Sequence, residues 1–154
     1  MRIRISAYNE LTLDDLYSIM RLRQEVFVVE QDCPYLDADG KDQVAHHLLY
    51  ERGTKLLGYS RLLAPCISYP DYTSIGRVVT AIDERGKAYG RDLMQASIAW
   101  CAERHPGHDI KISAQCYLDR FYAGFGFVDT GDHYLEDGIP HQAMVLSLAD
   151  VVTP

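Results

Sequence analysis

The chain has 154 residues, of which 47% are hydrophobic and 24% charged, and its net charge is −7. That size suits one domain with a core of its own, and the acidic balance disfavours nucleic acid as the main partner. No apolar run approaches the roughly 20 residues that cross a bilayer, so a membrane partner is not expected.

At the N-terminus, Arg2, Ile3, Arg4 and Ile5 alternate charge and aliphatic character like a strand. They carry no signal-peptide apolar region, so a cytoplasmic location is expected. The cysteines Cys33, Cys66, Cys101 and Cys116 are widely spaced and form no C-x-x-C pair. They read as free thiols. The six histidines show no metal-ligand spacing, and no metal is expected.

In chain order, residues 2–8 read as a strand. Thr12 and Asp15 resemble a capping box, and Leu13, Leu16, Ile19, Met20 and Phe27 keep helical spacing to about residue 28. Residues 30–43 form a polar, turn-rich loop, long enough to suggest a functional role. Two strands over 44–51 and 55–63 flank Arg52-Gly53-Thr54 as a hairpin. A loop over 64–74 carries Pro65 and Pro70, and 75–80 is a further strand. The most secure helix runs over 90–105 and stops at Pro106-Gly107. A strand over 109–115, a short helix over 118–124, strand segments over 127–130 and 133–135, a turn over 136–140 and a last strand over 141–148 complete the chain.

The order β-α-loop-β-β-β-α-β-α-β-β predicts an α+β fold: one mixed, mostly antiparallel sheet flanked by helices. The β-α-β unit around 75–115 requires a parallel, right-handed crossover. Splaying of its strands would leave a crevice at the helix N-terminus.

Residues 75–94 are the focus. A short strand runs through a polar turn into Arg85-Gly86-Lys87-Ala88-Tyr89-Gly90, and a helix starts at once. The first turn of a helix has N–H groups without partners and partial positive charge, which suits phosphate. Small residues let an anion approach, and Arg85, Lys87 and Arg91 add full charges. Taken alone, the segment also fits a plain strand-to-helix turn. It is neither G-x-G-x-x-G nor a P-loop.

Arg85-x-x-Ala88-x-Gly90 after a strand resembles the pyrophosphate loop of the GNAT superfamily of N-acetyltransferases, with Ala88 in place of the middle glycine. Phe121-Tyr122-Ala123-Gly124-Phe125-Gly126-Phe127 resembles a second family segment, in family order. Within the family the chain is similar to the ElaA-like branch. The marks are Glu30-Gln31, Cys33-Pro34-Tyr35, Asp37-x-Asp39-Gly40, Gly76-Arg77-Val78, Ala114-Gln115 and Glu136-Asp137-Gly138-Ile139-Pro140-His141.

This resemblance implies the three-layer α/β/α GNAT fold, with six to seven strands splayed at the central parallel pair, as a single domain over 1–154. It implies acetyl-CoA as co-substrate. The backbone of Gly86, Lys87, Ala88, Tyr89, Gly90 and Arg91, with Arg85, would hold the pyrophosphate. Val78, Val79 and Thr80 would pair with the pantetheine arm, and a backbone N–H there would stabilise the thioester oxyanion. The implied function is N-acetyl transfer to a primary amine, on a small molecule or a peptide, by direct attack in a ternary complex. The alternative is an acyl-CoA-binding or sensing module without turnover.

Tyr122 is the candidate general acid, since a phenol can protonate the departing thiolate. Without the resemblance it would also fit a core tyrosine. His141, at the start of the last strand, is the candidate base because imidazole titrates in the useful range. Glu30 and Glu84 are further candidates, through water. His46 and His47 are adjacent on a strand and face opposite ways. Glu30, Gln31, Tyr35 and Asp39 are the expected acceptor-binding residues, on an acidic and aromatic loop that would favour a cationic amine. The same loop also reads as a solvated turn, and its glycine spacing fails a calcium loop. Arg61 and Arg77 sit within strands and are read mainly as structural ion-pair partners. Cys33 and Cys116 have no activating neighbour in sequence. An exposed edge strand near the C-terminus would allow a homodimer.

Overall fold

The computed structural model describes residues 1–151. Strand β1 (Arg2–Ala7) leads to helix α1 (Leu13–Arg23). Hairpin strands β2 (His46–Arg52) and β3 (Lys55–Leu63) follow, then β4 (Thr73–Thr80), α2 (Tyr89–Arg104) and β5 (Ile110–Gln115). Helix α3 (Asp119–Ala123), β6 (Val128–Glu136) and β7 (Ile139–Leu146) end the fold. Element number and order match the sequence reading, and bounds differ by a few residues. Among the described residues no helix is long and apolar enough to cross a membrane.

Thr12 caps α1 as expected, accepting from the Asp15 N–H at 3.0 Å while Asp15 accepts from the Thr12 N–H at 2.9 Å. Beyond Arg23 the helix does not simply continue to residue 28. It widens into a π-helical turn over Gln24–Glu30. The β-branched and aromatic run Val26-Phe27-Val28-Val29 lies in this turn. Such turns recur at functional sites, and this one ends at Glu30.

The seven strands form one sheet in the order β1-β2-β3-β4-β5-β7-β6. All neighbours are antiparallel except β4 and β5. Strand β6 is an edge, and it is the exposed strand anticipated near the C-terminus. Its tight turn is Asp137-Gly138, both at positive φ (49° and 76°), as a hairpin turn matching the twist of its strands requires. The strand segments 127–130 and 133–135 are one strand, interrupted by an irregularity between Asp129 and His133.

Two cores lie on opposite faces of the sheet. Ile19, Leu22 and Val26 of α1 pack with Leu49, Tyr59 and Val79. Leu93, Met94, Ile98 and Cys101 of α2 pack with Leu48, Leu57, Ile112 and Met144. An extra residue at Leu57 breaks the β2–β3 register and lets Leu57 and Tyr59 serve different faces. Gly58 then faces α2, where a β-carbon would sit 2.8 Å from Leu93 Cδ1, so glycine sets how closely the helix approaches.

Strands β4 and β5 pair only at Thr73↔Ile110 and Ser74↔Lys111. Beyond Ser74 they part, and the free edge of β4 borders a cleft.

Candidate active site

The free edge of β4 is shaped by one bulge. Between the pairs Tyr59↔Val79 and Arg61↔Gly76, β4 carries one residue more than β3. Arg77 takes the strain, with φ at 52° in a region unusual for a non-glycine. After the bulge the Ala81 N–H donates to Leu57 O at 2.8 Å, so Ala81 and Val79 turn their backbone groups toward β3. Alternation along the strand turns those of Val78 and Thr80 toward the open side.

The Arg77 side chain is tied down from the other wall. Its Nε donates to Asp37 Oδ1 at 2.7 Å and an Nη donates to Asp37 O at 3.1 Å. Asp37 belongs to a buried network with Arg23, Arg61, Asp39 and Asp42. Arg23 is fully buried; it donates to Asp37 Oδ2 at 2.6 Å and to Asp42 Oδ1 at 2.7 Å. Arg61 forks onto Asp39 at 2.7 and 2.8 Å and also reaches Asp42 at 3.0 Å. Three arginines meet three aspartates, so the charges balance inside the protein. Burial would raise the Asp39 carboxyl, but the Arg61 guanidinium overrides it and holds the group well below the usual carboxylate range. Tyr35 donates to Asp37 Oδ1 at 2.7 Å, and burial followed by that acceptor pushes its phenol up.

This changes the reading of the loop over 30–43. Glu30, Gln31, Tyr35 and Asp39 do line the cleft. The expected acidic wall, however, is largely neutralised from within. Asp37, Asp39 and Asp42 answer arginines, and Glu30 pairs with Arg85 at 2.7 and 2.9 Å. His47 is likewise structural, bonded to Tyr59 Oη at 2.7 Å and Asp42 O at 2.9 Å, while His46 packs on Trp100 from the other face. Arg61 and Arg77 are ion-paired as read from sequence.

The cleft is a cavity of about 810 Å³. Val78, Val79, Thr80 and Arg85 line one side, and Tyr122 and His141 line it too. Arg85 is the last lining residue before α2, and none of the residues from Gly86 to Arg91 lines the cavity itself. Ala88 is the helix N-cap and adopts the left-handed conformation at φ 62°, ψ 17°. The family glycine that Ala88 replaces would adopt this geometry without strain. Gly86 also has positive φ, at 79°. The helix geometry leaves the first N–H groups, of Tyr89 and Gly90, without intrahelical acceptors. The Tyr89 ring is buried edge-on against Tyr50, so only its backbone is available. Lys87 donates to Glu84 at 2.7 Å. Glu84 also gathers Arg52 at 2.5 Å and Lys55 at 2.9 Å, and these cations, Lys87 first, hold its carboxyl down at about 2. That commitment leaves Glu84 poorly suited to act as a base. Arg91 stands exposed in the first turn.

Tyr122 lies on α3 and is 9% exposed. It packs edge-on to Phe121 and Phe127, and burial pushes its phenol up to about 12. His141 lies on β7. Its Nδ1 is 2.7 Å from Ile139 O, a carbonyl that only accepts, so Nδ1 carries the proton. Nε2 is then the basic nitrogen, and it stands 3.3 Å from Glu136 Oε2. The Tyr134 ring stacks on the imidazole at 6.2 Å. Ser113, a cleft residue, hydrogen-bonds the Tyr134 hydroxyl in turn.

Sequence reasoning missed Glu136 as the partner of His141. The tight Asp137-Gly138 turn was the available signal, because its register sets His141 opposite Tyr134 and diagonal to Glu136 on the same face. It also missed the buried network, whose arginines lie on three separate elements (α1, β3 and β4) and whose aspartates lie on the loop over 30–43. Cys33 and Cys101 are buried, and burial pushes the Cys101 thiol up to about 12. Among the described residues no group of three or more His, Cys, Asp or Glu is placed to hold a metal.

The family model described as an acetyltransferase (GNAT) domain matches residues 21–148. The Escherichia coli protein ElaA is 37% identical over 139 residues, covering 89% of this chain and 90% of that protein. A UPF0039 protein of Synechocystis is 42% identical over 139 residues, covering 90% of each. Among solved structures, an acyl-CoA N-acyltransferase from Pseudomonas aeruginosa matches with a TM-score of 0.89 and 39% identity, over 96% of this chain and all of that one. E. coli ElaA matches with a TM-score of 0.88 and 34% identity, over 96% and 100%. With a family match over most of its length and relatives this close, the chain belongs to the GNAT acetyltransferase family.

Proposed function

We propose that this protein transfers an acetyl group from acetyl-CoA to a primary amine, by direct attack within a ternary complex. The observation that carries the reading is the parting of β4 from β5 after Ser74↔Lys111. It leaves a strand edge free in the same cleft as Tyr122 and His141. A β-edge with outward N–H and C=O groups is suited to an extended amide-bearing chain, and pantetheine is one. The N-terminus of α2, with the backbone of 86–91, suits its pyrophosphate. Arg85 could reach that phosphate only by exchanging its Glu30 partner.

Acetyl-CoA would supply an acyl carbon activated as a thioester. A backbone N–H on the Val78–Thr80 edge would stabilise the charge developing on the carbonyl oxygen, an effect of about 3 kcal/mol in other enzymes. His141 Nε2 would take the proton that an alkylammonium must lose, and Glu136 would stabilise the resulting imidazolium. The amine nitrogen bonds to the acyl carbon, the C–S bond breaks, and the Tyr122 hydroxyl gives its proton to the leaving sulfur; the second proton leaves the nitrogen as the amide forms and restores the phenol. Burial raises the phenol, and it disfavours a thiolate in the same cleft as well, so both groups shift in the same direction. Glu30, Gln31, Tyr35 and Asp39 would shape the acceptor wall.

The test is thermal shift with acetyl-CoA, followed by thiol release from acetyl-, propionyl- and hexanoyl-CoA across a panel of amines. Stabilisation by acetyl-CoA and release that depends on an amine are expected, with acetyl the preferred group. No stabilisation would overturn the co-substrate assignment. Stabilisation without release for any amine would leave a binding module.

A further inference from the structure

The cleft carries four Lys or Arg residues: Lys41, Arg61, Arg77 and Arg85. The three arginines are answered by carboxylates of the protein. Lys41 is not. Its Nζ donates to Ser68 Oγ at 2.9 Å, and among the described residues it has no carboxylate partner. Arg61 adds an unmet donor on the same wall, since its Nε is buried without an acceptor.

Position separates Lys41 from the phosphate end. Ser68 lies in the loop that precedes β4, beside the closed end of the cleft at Ser74. The phosphate-binding segment follows the other end of β4, past Thr80. Six residues of strand put roughly 20 Å between them, so Lys41 is not placed for the pyrophosphate.

The carboxylates show the complementary imbalance. Glu30 and Asp39 are matched by arginines. Glu136 and Asp137, at the β6–β7 turn, have no Lys or Arg partner among the described residues, and Glu136 faces His141. This turn and the loop before β4 line the same cavity, through Glu136 and Asp137 on one and Ser68 and Tyr69 on the other. Among the described residues lining the cleft, the acceptor end therefore has an anionic side beside the base and one cation, Lys41, without a carboxylate partner; Lys111, whose Nζ lies over the Tyr69 ring at 4.9 Å, is outside the lining.

We propose that the acceptor is a zwitterion, an amine that also bears a carboxylate. Its ammonium is received at Glu136, Asp137 and His141, and its carboxylate is held by Lys41 Nζ and Ser68 Oγ. This rests on the acyltransferase reading for the fate of the amine, but not for the anion site itself. A charge-assisted contact of this kind corresponds to about a 10-fold preference or more.

The test uses matched pairs of α- and ω-amino acids and the amines that lack the carboxylate. Binding to the CoA-loaded protein is measured by calorimetry, and thiol release is measured separately. The carboxylate-bearing member of at least one pair should bind about 10-fold tighter or better, and Lys41→Met should erase that preference. Stabilisation of Lys41→Met by acetyl-CoA serves as the folding control, and Ser68→Ala should weaken the preference in part. Equal binding within every pair, no binding of any amino acid, or a preference that survives Lys41→Met would overturn the proposal. Preferential binding of an amino acid without thiol release would refute the transferase reading and leave the anion site standing.

Discussion

Asp37→Asn should be among the most damaging single-atom changes in this protein. Asp37 is 6% exposed and receives five hydrogen bonds. Its Oδ1 accepts from Tyr35 and Arg77, and its Oδ2 from Arg23. An asparagine would keep its oxygen toward Tyr35 and Arg77 and turn its amide N–H toward Arg23 Nε, a donor 2.6 Å from Oδ2 now. One buried guanidinium N–H loses its acceptor, and three arginines face two aspartates. Breaking a buried ion pair from one side costs about 3–5 kcal/mol. With a urea m-value of roughly 2 kcal/mol per M, the unfolding midpoint should fall by about 2 M. The control is Arg21→Ala. That pair with Glu25 is 70% and 47% exposed, so its loss should stay within about 0.5 kcal/mol. Urea unfolding followed by circular dichroism measures both. Because Asp37 anchors Arg77 at the β4 bulge, the variant should also raise the KM for acetyl-CoA. A stability loss under about 1 kcal/mol with unchanged m-value would refute the view that this network holds the loop over 30–43 to the sheet.

Tyr122→Phe should lower kcat by roughly 10²-fold or more and leave acetyl-CoA affinity nearly intact; an unchanged kcat removes the phenol from the acid role. Ala88→Gly should raise stability by about 1 kcal/mol, because Ala88 holds a left-handed conformation that glycine adopts freely; a lower urea midpoint would refute this. Glu84 has a folded pKa depressed from 4.5 to about 2, so its contribution is full above about 4.5 and lost as pH falls toward 2. The stability gap between wild type and Glu84→Gln should therefore close across that window, and a gap independent of pH would count against the three cations as its cause. Joint replacement of Cys33 and Cys116 by alanine should leave turnover intact, and loss of activity in a folded variant would revive a thiol mechanism.

Much of the fold was legible in the sequence because it rests on local signals. The Thr12–Asp15 box, the Pro106-Gly107 stop and the Asp137-Gly138 turn each act within a few residues. Periodicity placed seven strands and three helices in the right order. The strand–turn–helix segment over 75–94 was visible for the same reason, since its parts are contiguous. The π-helical turn at Gln24–Glu30 was not, since it breaks the period that the reading relied on.

What only the tertiary structure decided is the state of charge within the cleft. From sequence, Glu30, Asp37, Asp39 and Asp42 form an acidic loop. In space they meet Arg85, Arg23, Arg77 and Arg61, which come from elements 14 to 55 residues away in the chain. Composition records how many charges a chain has, but burial and distance decide which are already matched. Only after that matching do Lys41, Glu136 and Asp137 stand out, among the described charges lining the cleft, as those without an ionic partner of opposite fixed charge. The sequence by itself determined the family and the fold; the pairing of distant side chains determined which charges lining the cleft are already matched.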